Sequence, residues 1–241
     1  MISVCMATYN GERFLRPQVE SILNQLKIED ELVVSDDGST DKTVSILESF
    51  HDPRIKIHYN TGRHGVNGNF ENALRHSKGD YIFLSDQDDI WLEGKVKNCL
   101  QALEESHCIV HDCKVIDSEG CIISDSFFKE RNSGPGFWKN VYKNSYLGCC
   151  MAFRRCVLDY ALPYPENLPI FQEGWLATLA EVKGKVKFIP EKGILYRRHG
   201  SNASFTAEKS KFSLSKKISY RLRLLYLISK HLLKRMGKWE R

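Results

Sequence analysis

A chain of 241 residues, 42% hydrophobic and 27% charged, has the length and composition of one large globular domain, which excludes collagen-like, coiled-coil and disordered classes. Its net charge of +5 is uneven: residues 209–241 hold eleven Lys/Arg and one acidic residue, whereas residues 1–208 hold 24 basic and 29 acidic. A slightly acidic body with a basic tail is unlike a uniformly basic nucleic-acid binder, so no nucleic-acid partner is expected.

The first half alternates between two periodicities. Residues 2–6 form a short apolar run ending at Ala7-Thr8-Tyr9-Asn10-Gly11, which predicts a buried strand entering a turn. Leu15, Val19, Ile22 and Leu26 recur at helical spacing and predict a helix over 12–25. Residues 31–35 read as a second strand, broken at Asp36-Asp37-Gly38-Ser39-Thr40-Asp41, where Ser39 or Thr40 is placed to cap a helix carrying Val44, Ile46 and Leu47. A third strand is expected at 55–59 and a third helix at 70–76. A fourth strand at 81–85 is closed by Asp86-Gln87-Asp88-Asp89, and a helix is expected over 91–103.

Continuous apolar strands separated by helices are the pattern of a mainly parallel sheet covered on both faces. Such sheets bind ligands beyond the strand C-termini, where this chain gathers its polar and acidic residues. After residue 105 the pattern becomes mixed: a hairpin over 108–116 and 121–124, a loop at 132–136, strands at 146–153 and 186–189, and a helix at 172–181. No run approaches about eighteen apolar residues, so no membrane-spanning helix is expected. Met1-Ile2-Ser3-Val4-Cys5 runs straight into structure with no secretory leader, which predicts a cytoplasmic protein.

The eight cysteines include no Cys-x-x-Cys and sit mostly in apolar runs, so reduced, buried thiols are expected rather than a disulfide framework. Cys108, His111 and Cys113 lack the fourth partner that a zinc site needs.

Asp86-Gln87-Asp88-Asp89 places three carboxylates within one short segment, a repulsive arrangement that a cation or ligand relieves. Asp-x-Asp on an extended segment directs two carboxylates one way, which suits Mg²⁺ or Mn²⁺ shared with phosphate oxygens. The competing reading is a solvated loop with Asp89 as a helix cap. Asp36-Asp37-Gly38-Ser39 repeats the logic: a carboxylate there accepts from a base N–H or a ribose hydroxyl, or the segment is a capped turn. Thr8-Tyr9-Asn10 adds hydroxyls and an aromatic face at the same edge.

Ala7-Thr8-Tyr9-Asn10-Gly11, then Val33-Val34-Ser35-Asp36-Asp37-Gly38-Ser39-Thr40-Asp41, then Gly79-Asp80-Tyr81-Ile82-Phe83-Leu84-Ser85-Asp86-Gln87-Asp88-Asp89-Ile90-Trp91 together resemble the family 2 glycosyltransferases of the GT-A fold. The resemblance covers roughly residues 1–200, and the last segment looks most like the bacterial rhamnosyltransferase-type branch that builds surface polysaccharides. It implies an α/β, Rossmann-like, mainly parallel sheet flanked by helices, with a small mixed acceptor-side extension and a C-terminal helix. Residues 1–105 would be the nucleotide-sugar-binding half, 106–205 the acceptor-side half and 206–241 a basic amphipathic helix. It further implies inverting transfer from a dTDP- or UDP-sugar to a glycan or lipid-linked acceptor, with Mg²⁺ or Mn²⁺ as cofactor. Carried over by position, Thr8, Tyr9 and Asp37 line the base and ribose pocket, Asn69 stands near the nucleotide, and Asp86 and Asp88 form the Asp-x-Asp pair, with Asp88 the direct metal ligand.

The branch usually shows His-Asp-Trp-Trp before a Leu/Ala-rich helix, whereas this chain has Gln172-Glu173-Gly174-Trp175. Glu173 takes the place of the catalytic base, one methylene longer, or serves only the helix dipole. Trp175 offers a face to the acceptor sugar or belongs to the core. In Tyr196-Arg197-Arg198-His199, Arg198 is placed to hold the diphosphate and His199 to donate or join the metal. The tail spaces Leu214, Ile218, Leu222, Leu225, Leu232 and Met236 among Lys and Arg, which suits peripheral contact with an anionic membrane surface. Two rival functions are a nucleotidyltransferase, for which the first turn lacks a Gly-rich basic phosphate loop, and a non-catalytic nucleotide-sugar or membrane-surface binding protein.

Overall fold

The computed structural model describes residues 1–200 and 213–236. Its first four strands are β1 (Ile2–Thr8), β2 (Glu31–Asp36), β3 (Ile55–Tyr59) and β4 (Tyr81–Ser85), connected by α1 (Leu15–Leu23), α2 (Thr43–Glu48) and α3 (Val66–His76). They lie parallel in the order β3-β2-β1-β4. β1, β2 and β4 are almost wholly buried, as strands covered on both faces must be, whereas β3 is half-exposed at the sheet edge. Thr8 stands opposite Asp36 and Met6 opposite Ser85, so the acidic segments leave the sheet along one common edge.

The second half contributes β5 (Ile90–Trp91), α4 (Lys95–Leu103), β6 (Cys108–Ile116), β7 (Ile122–Ser124), α5 (Phe127–Arg131), α6 (Phe137–Tyr142), a 3-10 turn (Gly148–Cys150), β8 (Met151–Arg154), α7 (Cys156–Ala161), α8 (Gln172–Lys183), β9 (Val186–Arg197) and α9 (Leu214–Met236). Antiparallel β8 joins β4 to β6, β9 lies parallel to β6, and β5 closes the far edge antiparallel to β9. One mixed sheet thus runs through both halves. β4 and β5 are four strands apart in that order, yet only residues 86–89 separate them in the chain. Four strand spacings would span roughly 19 Å in a flat sheet, about the full reach of the link if extended. Two of its residues bend, so the sheet curls back on itself.

Several elements differ from the sequence pattern for physical reasons. The helix expected from 91 begins at Lys95, because Trp91 N–H donates to Ser21 Oγ and Leu92 N–H to the Gly193 carbonyl, which draws the segment into the sheet. Gly94, with φ of +81°, then turns the chain into α4. Asp89 therefore caps no helix. Ser39 gives its hydroxyl to Asp36, and Asp41 instead accepts from the Thr43 amide at the start of α2. Residues 148–150 are a 3-10 turn rather than strand, and β9 extends well beyond 186–189 by pairing along the whole of β6. α5, α6 and α7 have five or six residues each, too few for a 3.6-residue period to declare itself.

Six cysteines are buried and two, Cys121 and Cys156, are exposed; all eight are free. Burial pushes the Cys5 and Cys99 thiols up to about 12, so they act as small apolar side chains. His111 is buried with Nδ1 on the Asp112 carbonyl and forms no metal group with Cys108 or Cys113 among the described residues. No helix among the described residues is long and apolar enough to cross a membrane. The tail expectation at 206–212 and 237–241 lies outside the described residues, but 214–236 form α9 as its spacing predicts.

α8 joins the layers. Trp175 has no exposed surface, donates from Nε1 to the Ala161 carbonyl at 3.0 Å, and meets the His231 ring of α9 edge-on at 5.1 Å. His231 Nε2 in turn lies 2.6 Å from the Tyr160 carbonyl, and Leu224 and Ile228 bury the same face of α9. Trp175→Ala is expected to cost roughly 3–5 kcal/mol in urea unfolding, the range for emptying an aromatic site in a packed core. A loss below about 1 kcal/mol would show that the indole is not a keystone of this layer.

Candidate active site

The acidic loop is assembled by side chains that reach it from every neighbouring element. Gln87 bonds the first turn reciprocally, accepting from Tyr9 N–H at 2.9 Å and donating to the Tyr9 carbonyl at 3.1 Å. Gly11 lies directly beneath this amide, where a methyl would meet Gln87 Oε1 and force the side chain to move. Gln18 on α1 donates to Ser85 Oγ and the Asp86 carbonyl. Asn10 receives Ser39 Oγ at its amide and accepts the Thr40 amide, tying the same turn to the loop after β2. The three sequence motifs are thereby hydrogen-bonded into one cleft edge.

Within that edge the two consecutive aspartates after β2 divide the work. Asp36 is buried and supports its own turn, accepting from Gly38 and Ser39 amides and from the Thr8 and Ser39 hydroxyls. Asp37 faces outward to the loop before α3: Oδ2 accepts the Gly65 amide at 2.7 Å, while Oδ1 meets Asn60 Nδ2 at 2.7 Å and His64 Nδ1 at 2.8 Å. Gly65 adopts φ of +89° here, a conformation that favours glycine. Tyr9, 57% exposed, presents its ring at the lip. Two expectations need correction. Thr8 is fully buried with its hydroxyl on Asp36, and Asn69 is 3% exposed with Nδ2 on the Thr8 carbonyl; both brace the pocket from beneath rather than line it.

Asp86, Asp88 and Asp89 diverge because their segment bends instead of extending. Asp88 turns to His199, whose Nε2 lies 2.8 Å from Oδ2. Phe14 stacks near that imidazole at 4.9 Å. Asp86 and Asp89 point inward toward the Cys149 thiol, and the three potential ligand atoms lie within 4.8 Å of one another. Asp89 Oδ1 accepts the Arg197 amide at 2.9 Å, but its Oδ2 is buried with no partner. Burial, then the charge of Asp88, pushes Asp86 up to about 7 and holds Asp89 well above the carboxylate range. An unsatisfied buried oxygen amid three hard carboxylates, with an imidazole beside one, fits Mg²⁺ or Mn²⁺. Burial holds the Cys149 thiol well above its ordinary range, so it stands beside the carboxylates as a neutral group rather than a metal thiolate.

Glu173 enters from the opposite wall. It lies in the first turn of α8, 6% exposed, with its side chain against Gly148 of the 3-10 turn. Burial pushes its carboxyl up to about 8; its own backbone N–H opposes the shift and Asp86 adds to it. The start of α8 is fixed by Asn67, which accepts the Gln172 amide at 2.8 Å and donates to the Ile170 carbonyl. Trp175, one helical step behind, is sealed in the core, which corrects the expectation that it offers a face to an acceptor sugar. Arg198 pairs with Glu130 of α5 at 3.3 Å, away from the acidic loop that it was expected to serve. The cation at that loop is Arg197, whose Nε donates to the Asp88 carbonyl at 2.9 Å. Arg197, Asp36, Asn67 and Gln87 escaped the sequence reading because each acts by closing backbone between distant segments.

The family profile of Glycosyl transferase family 2 matches residues 3–160, which spans all three motifs. Among curated relatives, the chain is 28% identical over 241 aligned residues to the dTDP-rhamnosyl transferase RfbG of Shigella flexneri, covering 90% of this chain and 81% of that one. It is 27% identical over 187 residues to the UDP-Glc:alpha-D-GlcNAc-diphosphoundecaprenol beta-1,3-glucosyltransferase WfgD of Escherichia coli, covering 75% and 70%. Among solved structures, the fold resembles S. aureus TarS 1-349 in complex with UDP-GlcNAc, with a TM-score of 0.67, 19% identity and coverage of 93% and 71%. It also resembles the mannosyltransferase PcManGT of Pyrobaculum calidifontis in complex with GDP-Man and Mn²⁺, with a TM-score of 0.61, 18% identity and coverage of 98% and 64%. These likenesses give the fold as GT-A, an α/β architecture with a curled mixed sheet. The profile covers more than half of the chain and its motifs are the ones that build the cleft edge, so the protein belongs to glycosyl transferase family 2.

Proposed function

We propose that this chain is an inverting glycosyltransferase that moves a sugar from a dTDP- or UDP-sugar to a glycan or lipid-linked acceptor in bacterial surface polysaccharide synthesis. The observation that carries this reading is the placement of Glu173 and the Asp86 cluster on either side of the Gly148–Cys150 turn. A departing diphosphate needs positive charge on one side of the anomeric carbon, and an attacking hydroxyl needs a base on the other. The dTDP-rhamnosyl and UDP-Glc donors named for the two curated relatives, together with nucleotide-sugar complexes of the structural neighbours, support the donor class.

Tyr9 and Asp37 receive the base and ribose, and Asp37 does so from a position already braced by Gly65 and Asn60. Asp86, Asp88 and Asp89 would hold Mg²⁺ or Mn²⁺, with His199 orienting Asp88 or joining the shell. When bound, such an ion neutralises charge on the leaving diphosphate. Glu173 accepts the proton of the acceptor hydroxyl as its oxygen attacks the anomeric carbon. The bond to the diphosphate oxygen breaks with its electron pair leaving on that oxygen, and the configuration inverts. Arg198, just past the end of β9, would hold phosphate oxygens if it exchanged Glu130 for them.

The reading extends to location. α9 holds seven Lys/Arg and no Asp or Glu, yet it turns Ile218, Leu222, Tyr226 and Leu233 outward. Arg221 bonds the Tyr142 carbonyl of α6, whose Trp138 and Tyr142 are each 70% exposed. Cations around an apolar, aromatic ridge suit the inner face of an anionic membrane, where lipid-linked acceptors such as that named for WfgD would be met. A cytoplasmic protein peripheral to that face is the resulting picture. Self-association through the same ridge would set like charges against each other.

Three outcomes are expected. Glu173→Gln should lower transfer roughly 10²–10⁴-fold. Because the base acts ionised and its folded carboxyl stands near 8, wild-type turnover should rise with pH and level off above that value. The same group stabilises the fold below its ordinary pKa near 4.5, and that contribution is lost as pH climbs through about 8. Glu173→Gln should therefore melt higher than wild type at pH 8 while remaining inactive; retained turnover would remove Glu173 as base. Asp88→Ala should abolish Mn²⁺-dependent release of nucleoside diphosphate from dTDP-rhamnose, UDP-glucose and UDP-GlcNAc, and activity surviving it would discard Asp88 as a ligand. Finally, the chain should float with phosphatidylglycerol vesicles and not with phosphatidylcholine vesicles, and Leu222→Glu with Tyr226→Glu should abolish flotation. Equal partitioning of both forms would count against the membrane surface.

A further inference from the structure

Lys95 is a charged side chain in the interior that none of the steps above uses. It is 2% exposed, and an ammonium taken out of water costs several kcal/mol unless charge and hydrogen bonds replace its hydration. Two groups meet it directly. Its Nζ donates to the Cys149 carbonyl at 2.9 Å, and the same nitrogen stands 3.8 Å from the centroid of the Trp91 ring. Asp86 and Asp89 are close enough to feel its charge. Burial lowers the Lys95 pKa, and the nearby Asp89 opposes that shift.

Each of these partners belongs to the cleft. Trp91 continues the acidic loop into β5, two residues after Asp89. The Cys149 thiol lies within 4.8 Å of the Asp86 and Asp89 carboxylates, and its backbone position sets where that thiol stands. Gly148, one residue earlier, packs beside Glu173: a methyl there would be in ordinary contact with Glu173 Cβ at 3.5 Å and Oε2 at 3.7 Å. The 3-10 turn is therefore the spacer between the acidic cluster and Glu173, and Lys95 is what grips it from behind. A neutral side chain of equal length would fill the volume without gripping the carbonyl.

We propose that Lys95 is a positioning residue, whose buried ammonium clamps the Gly148–Cys150 turn to the Trp91 ring and so fixes the distance between the acidic cluster and Glu173. This rests on the reading of the cleft as a site of inverting transfer. The nucleotide base pocket around Asp37 hangs from β2 and α3 and has no contact with the clamp, so donor recognition and turnover should separate on substitution.

The test compares full-length wild type, Lys95→Met and Lys95→Arg with dTDP-rhamnose and UDP-glucose in MnCl₂, recording kcat, KM for the donor, and UDP and dTDP affinity by calorimetry. Lys95→Met should lose about 10²-fold in kcat, the order expected when reacting groups shift by about 1 Å, with KM and nucleotide affinity held within about threefold. Lys95→Arg keeps a cation that stacks on Trp91 and donates to a carbonyl, and should recover part of that loss. A folded Lys95→Met with wild-type kcat overturns the assignment, and so does an equal loss of nucleotide affinity and kcat, which marks general damage. Failure of both variants to fold also overturns it, since Lys95 would then serve folding rather than spacing. A wild-type chain inert toward every donor would instead sink the transfer reading on which the clamp depends.

Discussion

Asp86, Asp88, Asp89 and Glu173 concentrate negative charge where water has little access, and much of the second half of the chain is arranged around that difficulty. Like charges in a poorly solvated space either stay protonated or require cations and donors. Both remedies are visible. Asp86 and Glu173 are pushed up toward neutrality, while the Arg197 amide, the His199 ring, the Cys149 thiol and the Lys95 ammonium approach from β9, the 3-10 turn and α4. The remaining deficit, an unpaired oxygen on Asp89, is the one a divalent ion would fill. Glu173 shares this predicament on the α8 side: burial pushes its carboxyl up to about 8, and Asp86 adds to the shift.

The parallel half was legible in the sequence because its determinants are local. Runs such as Tyr81-Ile82-Phe83-Leu84 are buried strands wherever they occur in an α/β context, and turn chemistry at Asp36-Asp37-Gly38-Ser39 marks their ends. The basic amphipathic helix over 214–236 was readable for the same reason. Acidic residues at the ends of β2 and β4 identified the cleft edge, since residues polar and adjacent to apolar strands have few other places to go.

What escaped was non-local. Trp91 looks helical until Ser21 and Gly193 supply partners from elsewhere in the chain. Of two adjacent aspartates, nothing in the residue type says that Asp36 turns inward and Asp37 outward; the hydroxyls of Thr8 and Ser39 decide it. Trp175 was equally ambiguous, as an indole serves a sugar face or a core, and only the Ala161 carbonyl and the His231 ring settle the matter. In Tyr196-Arg197-Arg198-His199, where β9 ends, Arg197 and His199 take different tasks at the acidic loop and Arg198 turns to α5. α5, α6 and α7 are shaped by the surfaces they cover more than by any repeat of their own.

The link over 86–89 also joins β4, in mid-sheet, to the edge strand β5, closing a circuit through β8, β6 and β9. Topologically the molecule is a hoop, and its reactive carboxylates are the clasp. Shear between the parallel half and the later strands has no slack to take up anywhere else on that circuit, so it would be felt first as misalignment among these few side chains. On the proposed reading, the geometry of the cleft and the continuity of the sheet would be one property, so a change that loosens a distant strand would register at these carboxylates.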